Sequence, residues 1–115
     1  MAIDLYFAGI QCKEAEDIIE QNGYCRLFSY LNDKKHLKAR FSRNPKGKLI
    51  VDSGAFTAWT KGAELNTDEY IAWLNEHKQY IYLAGQVDSI PGKFRQAPTP
   101  KEVEEAAQKT YDNYW

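Results

Sequence analysis

Leu49-Ile50-Val51-Asp52-Ser53-Gly54-Ala55-Phe56-Thr57-Ala58-Trp59 is the stretch whose reading decides the fold. A short apolar run stops on a carboxylate, and the small, turn-prone Ser53-Gly54-Ala55 follows at once. That order reads as a buried parallel strand ending at the carboxyl edge of a sheet, with Asp52 at its tip. Open α/β sheets and barrels place their chemistry at this edge. Gly54 removes the side chain where a backbone could approach a ligand or take a positive φ. A plainer reading stands beside it: a strand-to-loop turn whose Asp only caps the next N–H groups.

Toward the amino terminus, Ile3 to Ile10 reads as a first strand, apolar and aromatic with Gly9 near its end. Cys12 to Asn22 reads as a helix whose apolar face is Ala15, Ile18 and Ile19. Its remainder is acid-rich, with Glu14, Glu16, Asp17 and Glu20, and Asn22-Gly23 is a C-terminal stop. Cys25 to Leu31 makes a second strand, so the first third of the chain has the size of a βαβ unit. Asp33 to Lys48 differs in character. It holds Lys34, Lys35, Lys38, Arg40, Arg43, Lys46 and Lys48 against Asp33 alone, out of 15 basic residues in the chain. With His36 and Phe41 interleaved, this is the asymmetry a DNA or RNA phosphate backbone would need. A solvated helix and loop explains the same charges. Asn44-Pro45-Lys46-Gly47 is a turn into the Asp52 strand.

On the carboxyl side, Thr57 to Leu65 reads as a loop or a short helix ending at Gly62. Asn66-Thr67-Asp68-Glu69 opens a helix that runs to about Lys78 with Tyr70, Ile71, Trp73 and Leu74 inward, Trp73 as core packing. Tyr80 to Asp88 reads as a fourth strand that again ends on an Asp and a turn, Ser89-Ile90-Pro91-Gly92. Thr99-Pro100-Lys101-Glu102 combines a cap, an early Pro and a Glu three residues on, and so starts a last helix. Val103, Ala106, Ala107 and Thr110 mark its inward face. Tyr111, Tyr114 and Trp115 crowd the terminus, which reads as a cut chain or a contact surface.

The chain is 115 residues, one domain by size, and at 43% hydrophobic it can bury a real core. A net charge of −1 provides no global field for a polyanion or a membrane. No apolar run approaches the ~20 residues of a membrane helix, and no basic-then-apolar start suggests a signal peptide. Cys12 and Cys25 lack metal-ligand spacing and read as reduced, inert thiols, so neither a metal nor a cofactor is expected.

Asp52 and Asp88 are the pair on which chemistry is expected to rest. If the third and fourth strands are parallel neighbours, their tips lie ~4.8 Å apart and both acids face one pocket. Two converging carboxylates can accept the amino and ring N–H groups of a guanine-like base, or divide acid and base roles. Two unrelated turn-capping acids are the plainer alternative.

Val51-Asp52-Ser53-Gly54-Ala55-Phe56-Thr57-Ala58-Trp59-Thr60-Lys61-Gly62 resembles the Asp-Ser-Gly-Gly/Ala-Phe signature of the queuine (tRNA-guanine) transglycosylase superfamily. Its Ala-Phe and Thr-Lys-Gly form is most similar to the phage-associated branch linked to inserting 7-deazaguanine bases into DNA. Leu5-Tyr6-Phe7-Ala8-Gly9, Tyr70-Ile71-Ala72-Trp73-Leu74 and Val87-Asp88-Ser89-Ile90-Pro91-Gly92 also resemble that branch. The resemblance implies the front part of a (β/α)8 barrel: about four parallel strands alternating with helices. A whole barrel needs roughly 200 residues, more than this chain has.

The resemblance further implies that Asp52 contacts the incoming base and assists proton transfer. It makes Asp88 a second base-recognition acid, Ser53, Gly54 and Ala55 a backbone wall, and Phe56 a support under the base. It implies base exchange by double displacement, a pentosyltransferase reaction in which a carboxylate holds the sugar while bases swap. The family's nucleophilic Asp and its zinc cluster lie later in the barrel, so neither is assigned here. Two readings follow: the base-recognising part of a transglycosylase-like enzyme, inactive alone, or a non-catalytic phage protein that binds a nucleobase, a nucleotide or a host protein as an inhibitor. A small structural module is the third and blandest. Unpaired strand edges predict a homodimer or a helix-covered edge, and the phage-like branch implies the cytoplasm of a bacterial host.

Overall fold

The computed structural model describes residues 3–10, 12–32 and 46–113. Four strands, β1 (Tyr6–Phe7), β2 (Cys25–Ser29), β3 (Leu49–Asp52) and β4 (Leu83–Ala84), form one sheet. The order is β1-β2-β3-β4 and every pairing is parallel. Among the described residues, helices α1 (Lys13–Asn22), α2 (Ala55–Thr60), α3 (Thr67–Glu76) and α4 (Pro100–Asp112) alternate with them. The α/β class and the sequential parallel sheet are as expected from the sequence. The sheet is open, with β1 and β4 at its edges.

The helix ends follow their local signals. Gly23 takes a left-handed φ of 65° and closes α1 by donating to Glu20. Asn66 Oδ1 accepts the Glu69 N–H at 3.0 Å to start α3. Thr99 and Glu102 complete a reciprocal capping box on α4, at 3.2 and 3.1 Å. The Thr99 backbone and hydroxyl hold the Glu102 carboxyl below its usual range.

The inner strands alternate by the two-residue period of a pleated strand. Arg26 and Phe28 of β2 and Leu49 and Val51 of β3 are buried on one face, in matching register. Two apolar clusters form there. Phe28 and Leu49 meet Trp73, Tyr80 and Ile81, while Tyr30, Val51, Tyr70 and Val87 meet Ala55, Leu65 and Leu74. Trp73 is core packing, as expected, its ring 5.2 Å from that of Tyr30. Arg26 is buried on the same face, paired with Glu16 of α1 at 2.8 Å and lying 4.2 Å over the Phe28 ring. That pairing ties α1 to β2 and compensates the cost of burying a charge.

Leu27 and Ile50 point to the opposite face and stay half-buried; Leu83, their register mate on β4, is exposed. All-parallel sheets are ordinarily covered on both faces.

Three strands are shorter than the sequence suggests. The first was expected over Ile3–Ile10, yet only Tyr6–Phe7 pair, and Ile3 and Leu5 are largely exposed. The second stops at Ser29 because the backbone turns helical at residues 30–32 and carries Tyr30 onto Tyr70 and Trp73. The fourth was expected over Tyr80–Asp88. Tyr80 and Ile81 instead sit in turns donating to His77 and Lys78, which puts their side chains in the core. Strand propensity needs neighbours on the ladder to express itself, and both edge strands have one. On α1, Ile19 is buried but Ile18 is exposed; on α4, Ala106 is buried while Val103 and Ala107 face outward.

Candidate functional site

Asp52 stands where the sequence placed it, as the last residue of β3, with an exposed side chain. Its ladder partner on β2 is Ser29. On the other side the ladder runs Val51 to Ala84, and the Gly85 N–H donates to the Val51 carbonyl at 2.7 Å. Gly85 is therefore the residue beside Asp52. A Cβ placed on Gly85 would lie 3.8 Å from Asp52 Oδ1, so the missing side chain leaves room next to the carboxylate. Among the described residues no hydrogen bond or ion pair reaches Asp52.

The turn after β3 is held by its other members. Ser53, 2% exposed, turns its hydroxyl back to accept the Ala55 N–H at 3.3 Å. Gly54 has a φ of 85°, and a Cβ there would meet the Leu31 Cβ at 2.6 Å. The glycine answers to its own chain: the end of β2 passes too close for a side chain, in a conformation L-residues avoid. The plainer sequence reading, in which Asp52 caps the turn, does not apply. Ser53 does that, and Asp52 remains available.

The Asp52 charge is felt by Tyr70. This buried hydroxyl donates to the Gly85 carbonyl at 2.7 Å, and its pKa is pushed up to about 12, first by burial and next by the negative Asp52. Tyr70 thus fixes the backbone flanking the acid. Ser29, Tyr70 and Gly85 were not singled out from the sequence as site residues, Tyr70 being read as part of the inward face of its helix. Gly85 carried a signal, a glycine inside an apolar strand pattern, which marks a bulge or a close approach.

Asp88 is placed otherwise than expected. The expectation was a strand-end neighbour of Asp52. β4 ends at Ala84, so Asp88 lies in the loop beyond, accepting a long 3.4 Å contact from Gln86. Pairing fails after Gly85 because the chain dives inward to bury Val87, whose carbonyl accepts the side-chain amide of Asn113, the residue that caps the end of α4, at 3.0 Å. Asp88 lines a cavity of about 200 Å³ with Ala55, Trp59, Glu64 and Lys109, and Asp52 is not in its wall. Ligand pockets usually span roughly 300–1,000 Å³, so this cleft is small for one. A larger cavity of about 540 Å³, mostly apolar, lies between α3 and the loop after β4, with Tyr70, Leu74 and Gly85 in its wall.

Phe56, on α2, is 62% exposed and packs on Trp59 with ring centroids 5.8 Å apart. Lys34, Lys35, Lys38, Arg40 and Arg43 lie outside the described residues. No group of acidic, His and Cys side chains among the described residues could hold a metal, and Cys12 and Cys25 are free thiols. No described helix is long and apolar enough to cross a membrane. No family model, curated protein or solved structure matches this chain.

Proposed function

We propose that this chain is the nucleobase-recognising part of a transglycosylase-like protein that exchanges 7-deazaguanine-type bases in DNA or tRNA. The observation that carries the reading is the Asp52 carboxylate: exposed, without a hydrogen-bond partner among the described residues, at the carboxyl edge of a parallel sheet, and flanked by a residue with no side chain. An anionic acceptor with open space beside it suits a ring that offers two adjacent N–H donors. Asp52 accepts these donors and takes part in proton transfer; Ser53 and Gly54 shape the turn that presents it, and Ala55 and Phe56 follow on α2. Asp88, in the separate loop, contributes from a distance. The covalent step needs a carboxylate nucleophile that these residues do not supply.

Titration of free 7-deazaguanine by calorimetry tests this. Saturable binding is expected, weakened by Asp52→Asn by about 1.5–3 kcal/mol, the worth of hydrogen bonds to a charged group. Asp88→Asn is expected to cost less. Absence of base binding, or binding indifferent to Asp52→Asn, sinks the reading.

The open sheet favours a second reading: a non-catalytic phage protein that holds a nucleotide or a host protein as an inhibitor. Under it, a homodimer forms through the β1 or β4 edge, which light scattering would report. The basic segment Lys34–Arg43 makes salt-sensitive contact with DNA or RNA under either reading.

A further inference from the structure

We propose that Phe56, Trp59, Phe94 and Arg95 form a docking platform for single-stranded nucleic acid; this deepens the base-recognition reading by naming the form of the polymer, and rests on different residues from Asp52. Two loop regions at the carboxyl edge of the sheet meet here. Phe56 and Trp59 come from α2, directly after β3, and Phe94 and Arg95 come from the loop after β4. Trp59 stands between the other two rings, 5.8 Å from Phe56 and 5.5 Å, edge-on, from Phe94. Its indole N–H donates to the Gly92 carbonyl at 3.0 Å, which links the two regions.

The outer rings are open to solvent: Phe56 is 62% exposed and Phe94 45%. The Arg95 guanidinium lies 5.4 Å from the Phe94 ring centre. Arg95 is also the one non-glycine residue with a positive φ, 67°, among those described, a conformation disfavoured for a side chain of its kind. Lys61 and Lys93 are exposed in the same two loops. Among the described residues no carboxylate lies within ion-pair distance of Arg95 or Lys61, while the Lys93 charge helps to lower the pKa of the Glu102 carboxyl.

Exposed aromatic faces beside the cations Arg95 and Lys61 match bases and phosphates together. Each base has a π-face, and stacking on a side chain tolerates any sequence. A duplex keeps those faces against its own neighbours, so the occupant is a single strand. The faces and cations together fit a polyanion that carries its own rings, as a single strand does at every nucleotide. Phe56 follows Asp52 by four positions, a span of at most ~14 Å of chain, so a strand stacked here passes close to the acid.

The test is fluorescence anisotropy of a labelled mixed-sequence twelve-nucleotide DNA strand with the intact protein at low salt, against the same sequence as duplex. Preference for the single strand is expected. Phe56→Ala and Phe94→Ala should each weaken it roughly tenfold. Arg95→Glu, which leaves all three rings in place, should weaken it several-fold and flatten its salt dependence. Thermal melts confirm that each variant folds. Tighter duplex binding, absence of binding, or affinity that survives Phe94→Ala and Arg95→Glu overturns the platform. So does loss of binding only on neutralising Lys34, Lys35 and Lys38, which would place the strand elsewhere. Self-association abolished by Phe56→Ala, without oligonucleotide binding, makes the surface a protein interface and overturns it too. Free 7-deazaguanine separates the two claims: base binding without strand binding sinks the platform alone, and the converse sinks the Asp52 pocket alone.

Discussion

The carboxyl ends of β3 and β4 are written alike and built differently. Both are apolar runs that lead to Asp-Ser, at Asp52-Ser53 and Asp88-Ser89. β3 is paired on both sides and stays extended up to its acid. β4 is paired on one side, for two residues, and its acid falls in a loop. An apolar run therefore marks where a strand can form, and neighbours on the ladder decide how far it extends. The chemical consequence is that Asp52 is presented by the sheet and Asp88 by a loop.

The glycines after the two strands give the widest predicted contrast. Gly54→Ala should destabilise the fold by about 2–4 kcal/mol, since the new Cβ combines a left-handed backbone with overpacking against Leu31. At Gly85 φ is ordinary and the nearest atom to a Cβ is 3.7 Å away, so Gly85→Ala should change stability by less than ~0.5 kcal/mol. Urea unfolding compares them. Equal losses would mean that the end of β4 is as constrained as that of β3, and the contrast would fail.

Core truncation should repeat the pattern at smaller amplitude. Val51→Ala on β3 removes a fully buried side chain and is expected to cost about 2 kcal/mol. Leu83→Ala on β4, where the side chain is 56% exposed, should stay within ~0.5 kcal/mol. A large cost at Leu83 would show that its face is covered in solution, and light scattering on the same samples would identify a dimer.

Tyr70 couples the two strand ends and supplies a pH signature. Its pKa is raised from 10 to about 12 in the folded state, so the native protein holds that proton more tightly than the unfolded chain. The resulting stability is complete below pH 10 and is lost as pH rises from 10 toward 12, by on the order of 1–3 kcal/mol. Tyr70→Phe should flatten that alkaline decline and cost ~1 kcal/mol at neutral pH through loss of the bond to Gly85. Identical alkaline profiles for the two proteins would remove Tyr70 from the link between β3 and β4.

Much of this architecture was legible in residues whose instructions are local. Asn66, Thr99 with Glu102, and Gly23 each satisfy backbone groups within one turn, so their helix boundaries could be read without knowing any partner. The Leu49–Asp52 strand was legible too, because an inner strand of a parallel sheet is apolar nearly throughout. Pairing of Arg26 with Glu16, the reach of Tyr70 to Gly85 and the meeting of Trp59 with Gly92 and Phe94 join residues far apart along the chain. No local pattern encodes such contacts.

By itself, then, the sequence determined the α/β alternation, the position of Asp52 at a strand tip and the caps of its helices, because each depends on periodicity or on chemistry within a few residues. Tertiary structure alone decided that β4 stops short, that Asp88 leaves the strand, and that Gly85 and Ser29 flank Asp52. Those outcomes turn on which backbone groups find a neighbour across the sheet and which side chains compete for the core, and both are settled only when the whole chain has packed.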